Sequence, residues 1–224
     1  LGYSDNTNLT FLLPTICDIT AIYSPCAPAY GMEPWHPSLK DTFELLTGKS
    51  NMAHGYDKWE KESLKNEENP LVPYNVTKKT EIKKFGAGKD DVKTEISGRL
   101  IGGCLDCLSN LAGTKFDKVS DFNEKYKEDG IIWFMESCDL NPMAIRRAIW
   151  QLDHAGWFKY VKGFLIGRPL CLDEEILGVD RYNAVYPLLE KYNVPIIMDL
   201  DIGHTAPMMP IVSGAKAEIV VEKN

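Results

Sequence analysis

The 224 residues hold no long apolar run, only four histidines and no excess of positive charge. Nothing approaches the roughly 20 consecutive apolar residues of a membrane-spanning helix, so no membrane partner is expected. A formal net charge of -7 argues against a nucleic acid polymer, whose phosphates demand a basic surface. A single nucleotide held in a pocket remains compatible with that charge. Internal repeats and low-complexity tracts are absent. So are the HExxH, HxxxH, P-loop, GxGxxG and G-x-S-x-G patterns that mark metal sites, phosphate cradles, dinucleotide sites and nucleophile elbows. None of these local patterns therefore marks a metal or cofactor site. Six cysteines are too few for a disulfide scaffold. Cys17, Cys26, Cys138 and Cys171 stand singly and read as reduced, buried thiols of a cytoplasmic protein. Cys104 and Cys107 form a lone CxxC with no second pair at ligand spacing, so packing is preferred to zinc or redox chemistry. The opening Leu1-Gly-Tyr-Ser-Asp5 has neither an initiating Met nor the regions of a secretory leader, and the expectation is a fragment or a processed product.

What is present reads as α/β, in three regions. Residues 1–50 carry a turn-rich start, an apolar stretch from Leu9 to Ile22, a connection with Pro25, Pro28, Pro34 and Pro37, and a short helix that Ser38 can cap and Gly48 ends. Residues 51–95 alternate Lys with Glu or Asp and have few large aliphatics, so they form a surface loop or linker unable to bury much of a core. Tyr56, Trp59 and Tyr74 stand out there as aromatics that either cover the scaffold or meet a ligand. Residues 96–224 alternate strands and helices. A strand ends at Ile101 before a Gly-Gly turn, and a helix covers 105–111. The strand Ile131–Met135 is followed by Asp139-Leu-Asn-Pro142, which opens a helix to about residue 155. Strand 163–166, a helix at about 180–192, strand 194–200 and strand 217–221 complete a mostly parallel sheet.

Two short apolar runs rich in β-branched residues end in acid–base side chains: Ile131-Ile-Trp-Phe-Met-Glu136 and Val194-Pro-Ile-Ile-Met-Asp-Leu-Asp-Ile-Gly-His204. Such runs read as buried strands of a parallel sheet, beyond whose carboxyl ends ligand sites gather. Ser137, Asp139 and Asn141 can each cap the following helix, which leaves Glu136 free for another task. Gly203 and Pro207 would present His204 at an edge. A carboxylate that orients an imidazole is two-thirds of a nucleophilic triad. His154, in the last turn of a helix, has a structural reading, and His36 and His54 have no partner nearby in sequence. Ser4, Ser97, Ser109, Ser137 and Ser213 do not lie in a glycine-flanked strand-to-helix turn.

The segments GYSDNTNL (2–9), GRLIGGCLDCL (98–108), IIWFMES (131–137), IRRAIWQLDHAGWF (145–158), KGFLIGRP (162–169) and DIGHTAPMMPIVSGAKAEI (201–219) follow one another in an order that resembles the LD-carboxypeptidase family of serine peptidases. That family includes muramoyl-tetrapeptide carboxypeptidases and microcin C immunity peptidases. The resemblance implies a flavodoxin-like N-terminal α/β domain, of which residues 1–50 would be the tail, and a C-terminal swivelling α/β domain over 96–224, often in a homodimer. It implies a Ser–Glu–His triad with Glu136 and His204 in the last two roles, no metal and no cofactor. The nucleophilic serine of the family precedes GYSD, so it and its oxyanion donors are expected outside this sequence, and the 224 residues alone are expected to be inactive. Gly103 and Cys104 fall at a substrate-contacting position, where the family more usually has Asn after Gly-Gly. The charged loop with Trp59 is more similar to the microcin-immunity branch, in which such an aromatic can stack on a nucleobase. The expected substrate is a peptidyl- or aminoacyl-nucleotide. Murein tetrapeptides in cell-wall recycling are one alternative. The other is a non-catalytic binding or assembly module, partnered by its own missing N-terminal segment.

Overall fold

Six consecutive side chains from Ile131 to Glu136 are buried, because this strand is covered on both faces. Ile131, Trp133 and Met135 enter one apolar core and Ile132 and Phe134 the other, the two-residue alternation of a pleated strand. The computed structural model describes residues 1–222. Its elements are α1 (Thr7–Thr10), β1 (Ala21–Tyr23), α2 (Pro37–Leu46), β2 (Lys58–Trp59), β3 (Lys78–Lys79), β4 (Lys83–Gly86), β5 (Lys93–Cys104), α3 (Leu105–Leu111), α4 (Val119–Lys125), β6 (Ile131–Glu136), α5 (Pro142–His154), β7 (Val161–Gly167), α6 (Tyr186–Leu189), β8 (Pro195–Leu200), β9 (Ile211–Ser213) and β10 (Lys216–Glu222). The main sheet runs β10-β5-β6-β7-β8-β4. Its four central strands are parallel, and β10 and β4 close the two edges antiparallel. Among the described residues, no helix is long and apolar enough to cross a membrane.

One face is covered by helices. Leu105 and Leu108 of α3, Phe122 of α4, and Ile145, Ile149 and Leu152 of α5 meet Trp133, Trp157, Phe158 and Phe164. The other face packs against β1, β9 and the 200–211 turn through Tyr23, Ile202, Met208 and Ile211. α5 follows its sequence signals: the Asn141 side chain accepts from Ala144 N–H at 2.9 Å and Pro142 occupies the first turn.

Several local expectations are corrected. β5 does not end at Ile101 but runs through both glycines to Cys104. These glycines serve close approach inside the sheet: a Cβ on Gly102 would lie 1.7 Å from Phe134 O, and one on Gly103 would lie 2.6 Å from Thr7. The helix expected over 180–192 is only α6 and a 3-10 turn at Glu190–Tyr192. Pro187 sits in its first turn, where a missing N–H is tolerated, and cannot lie deeper. His36 rather than Ser38 caps α2, accepting from Ser38 N–H at 3.2 Å. Of the four single cysteines only Cys171 is buried, while Cys17 is exposed; all six are free thiols. The charged segment supplies the edge strand β4, which pairs with β8 from Lys83 to Gly86.

Replacing Gly102 by Ala should cost at least about 1–3 kcal/mol, the usual penalty of overpacking, because the obstacle is a backbone carbonyl that cannot swing aside. Urea denaturation would read this as a lower midpoint at unchanged slope.

Candidate active site

Glu136 ends β6 with its side chain fully buried, and the parallel register places Cys104 of β5 directly beside it. The chain reaches His204 along β8 and the turn that follows. Gly203 has φ +98, and a Cβ there would fall 2.3 Å from Glu136 Oε2, so only glycine lets the turn pass over the carboxylate. A Cβ on Gly167, at the end of β7, would approach Ile202 O to 2.1 Å and Glu136 Cβ to 3.0 Å. The result brings together two of the residues singled out in the sequence: His204 Nδ1 lies 2.7 Å from Glu136 Oε2. An ionised carboxylate offers only lone pairs, so Nδ1 carries the proton and Nε2 is the nitrogen left for chemistry.

Two tyrosines complete the pair, and sequence reasoning missed both. Tyr23 OH donates to Glu136 Oε1 at 2.5 Å from the end of β1, and the Tyr3 ring meets the imidazole edge-on at 4.8 Å. Tyr3 lies within the segment GYSDNTNL, whereas nothing around Tyr23 signals its partner 113 residues away. Burial, aided by the Glu136 charge and hydrogen bond, holds the Tyr23 phenol well above its ordinary range. For His204, burial pulls the pKa down. The Glu136 hydrogen bond and charge, with the acidic Asp106 and Asp139, outweigh it and raise the pKa above 6.5. Cys104 N–H donates to Thr7 Oγ1 at 3.0 Å, and its thiol to Asp106 Oδ2 at 3.2 Å. Burial, then Glu136 and Asp106, push that thiol well up. Gly103, one residue earlier, is pressed against Thr7.

Trp59 lies apart from the pair but on the same turn system. Its half-buried ring covers the Arg168 guanidinium at 5.0 Å, and its indole N–H donates to Lys79 O at 3.2 Å. Arg168 is 2 % exposed. It forms a buried ion pair with Asp201 and donates to Asp199 O at 2.7 Å. The other Asp201 oxygen accepts from Tyr56 N–H at 2.7 Å, and Glu60 N–H donates to Ala206 O at 2.6 Å. The segment around Trp59 is thus strapped to the turn that carries His204. The other histidines have local duties. His36 caps α2, His54 lies 3.5 Å from Asp41, and His154 stacks on Trp150 at 4.1 Å.

A buried carboxylate thus aligns an imidazole at the carboxyl ends of parallel strands, a place where ligand sites of open α/β sheets gather. Residues 97–219 match the family model of the LD-carboxypeptidase C-terminal domain, and the chain belongs to the LD-carboxypeptidase family. It is 27% identical over 230 residues to the microcin C7 self-immunity protein MccF of Escherichia coli, covering 98% of this chain and 62% of that protein. To the probable murein peptide carboxypeptidase of Bacillus subtilis it is 25% identical, covering 96% of this chain and 58% of that protein. The chain therefore spans about three fifths of the length of the curated relatives it matches. A solved structure of MccF in complex with aspartyl sulfamoyl adenosine shares the fold at TM-score 0.76 and 23% identity, over 100% of this chain and 67% of that one.

Two outcomes follow from the geometry. A histidine with a raised folded pKa contributes stability that is fully present below its unfolded value and is lost as pH rises through the folded one. Glu136→Gln should lower the His204 pKa and shrink this acid-side stability, as read by NMR titration and by denaturation at several pH values; an unchanged pKa would contradict the pairing. Asp201→Ala leaves Arg168 as an unpaired buried charge and should cost about 3–5 kcal/mol. Hydrogen exchange should show protection lost at the Tyr56 amide.

Proposed function

We propose that this chain carries the acid–base half of a serine-type amide hydrolase of the microcin-immunity kind, acting on peptidyl- or aminoacyl-nucleotides. The observation that supports this most is the 2.7 Å contact between His204 Nδ1 and Glu136 Oε2. In the proposed reaction a serine hydroxyl attacks the amide carbonyl and His204 Nε2 takes its proton. His204 then returns that proton to the leaving amine, while Glu136 holds the ring and stabilises its charged form. Among the described residues, Glu136 is the only side-chain hydrogen-bond partner of His204. The serine is accordingly proposed to come from outside this sequence, and the 224 residues alone should not turn over substrate.

The substrate side of the proposal rests on Trp59, Gly103 and Cys104. Trp59 has one face on Arg168, and its other face is proposed as a stacking surface for a nucleobase, with Gly103 and Cys104 lining the wall beside Glu136. The aminoacyl-nucleotide analogue in the MccF complex favours this substrate class over a murein tetrapeptide. Association as a homodimer is proposed by family likeness alone.

In an intact enzyme that includes the serine segment, His204→Ala should abolish hydrolysis while unfolding stays cooperative. Trp59→Ala should raise KM for an aminoacyl-nucleotide roughly 5- to 150-fold, the equivalent of about 1–3 kcal/mol of base stacking. It should leave a tetrapeptide substrate nearly untouched. Equal losses on both substrates, tracking a fall in Tm, would assign Trp59 to packing on Arg168 and remove the preference for nucleotides.

A further inference from the structure

Beside the Glu136–His204 pair stands a thiol that moves no proton in the proposed hydrolysis. Cys104 is 1 % exposed. Its Sγ, a carboxylate oxygen of Glu136 and a ring nitrogen of His204 all lie within 4.8 Å of one another. We infer that these three side chains form a binding site for a thiophilic divalent cation of the zinc class, and that a bound ion silences His204 as a base. The silencing rests on the hydrolase reading above; the binding does not.

The donor set suits such an ion. Zinc takes thiolate sulfur at about 2.3 Å, imidazole nitrogen at about 2.0–2.1 Å and carboxylate oxygen at about 2.0–2.2 Å in a tetrahedron, and three protein ligands leave a fourth position for water. Ligand atoms in that geometry stand roughly 3.3–3.7 Å apart. The 2.7 Å between Nδ1 and Oε2 therefore has to open by roughly 0.6 Å, while Sγ draws in. The field also suits a cation. The charged side chains that act most on the Cys104 thiol are Glu136 and Asp106, and on His204 they are Glu136, Asp106 and Asp139; all are acidic.

The balance of the binding step explains the silencing. The S–H bond breaks, its proton leaves to solvent, and sulfur bonds to the metal as thiolate. The neutral imidazole moves its one proton from Nδ1 to Nε2, and the freed Nδ1 lone pair binds the ion. With Nε2 now bearing hydrogen, it has no lone pair with which to take a proton from a nucleophile. The ion is thus an inhibitor that competes with the Nδ1–H···Oε2 contact, not a cofactor. Its ligands lie at positions 104, 136 and 204, which is why no local spacing in the sequence announces them.

Cobalt(II) serves as the visible probe. Titrated into the reduced protein, it should give one equivalent of tetrahedral d–d absorption with a thiolate-to-cobalt charge-transfer band, both displaced by Zn²⁺. Cys104→Ser should remove the charge-transfer band, whereas Cys107→Ser and Cys138→Ser should keep it. His204→Gln, which alters a turn rather than the sheet, should weaken cobalt binding at least tenfold and gives a second reading if Cys104→Ser does not fold. The site is overturned if the band is absent, if it survives Cys104→Ser, or if His204→Gln binds with unchanged affinity. In the intact enzyme, Zn²⁺ bound at the site with hydrolysis undiminished would overturn the silencing. Hydrolysis that survives His204→Ala would instead overturn the hydrolase reading, and the cobalt spectrum would still decide the site.

Discussion

The buried carboxylate of Glu136 is the constraint around which this structure is arranged. A charged group with no exposed side-chain surface persists only where its lone pairs are met. Here the Tyr23 hydroxyl meets one oxygen and the His204 imidazole the other. Both partners arrive from elements far away in the chain, so satisfying one carboxylate fixes the position of β1 against the sheet and of the turn after β8. Gly167 and Gly203 are the steric counterpart, since any Cβ at either position would collide with Glu136 or the turn above it. The same contact leaves His204 with one free nitrogen and a raised pKa. Packing and chemistry therefore share one interaction.

A second buried charge extends the arrangement outward. Arg168 and Asp201 pair beneath the turn, and Asp201 also receives the Tyr56 amide. A buried ion pair is weak evidence for net stability but costly to break, so its clearest effect is to specify one geometry. That geometry ties the charged 51–60 stretch, and the Trp59 ring above Arg168, to the segment bearing His204. Under the proposed function, a nucleobase stacked on Trp59 would be held at a fixed distance from the imidazole, which is the condition for efficient positioning.

Much of the sheet was legible because buried parallel strands leave short, unbroken apolar runs. Ile131–Met135 and the stretch before Leu200 announce themselves, and a carboxylate or imidazole at their ends is conspicuous. α5 was equally plain, with Asn141, Pro142 and a repeating apolar face. α4 was not, because seven residues with Val119 and Phe122 as its apolar anchors are too few to display a period. The glycines at 102 and 103 looked like a turn, since sequence does not distinguish freedom to bend from the need for a close neighbour. Tyr23, Arg168 and Asp201 were invisible as site residues because their roles are contacts across 113, 33 and 145 positions. Long-range pairing of this kind carries no local signature.

Whether Glu136 fixes the orientation and tautomer of His204 can be read from nitrogen-15 NMR of the neutral imidazole. The proton should reside on Nδ1, shared with the Glu136 carboxylate, with Nε2 bare, and Glu136→Gln should erode this preference. A neutral ring with its proton on Nε2 and a bare Nδ1 in the unsubstituted protein would contradict it.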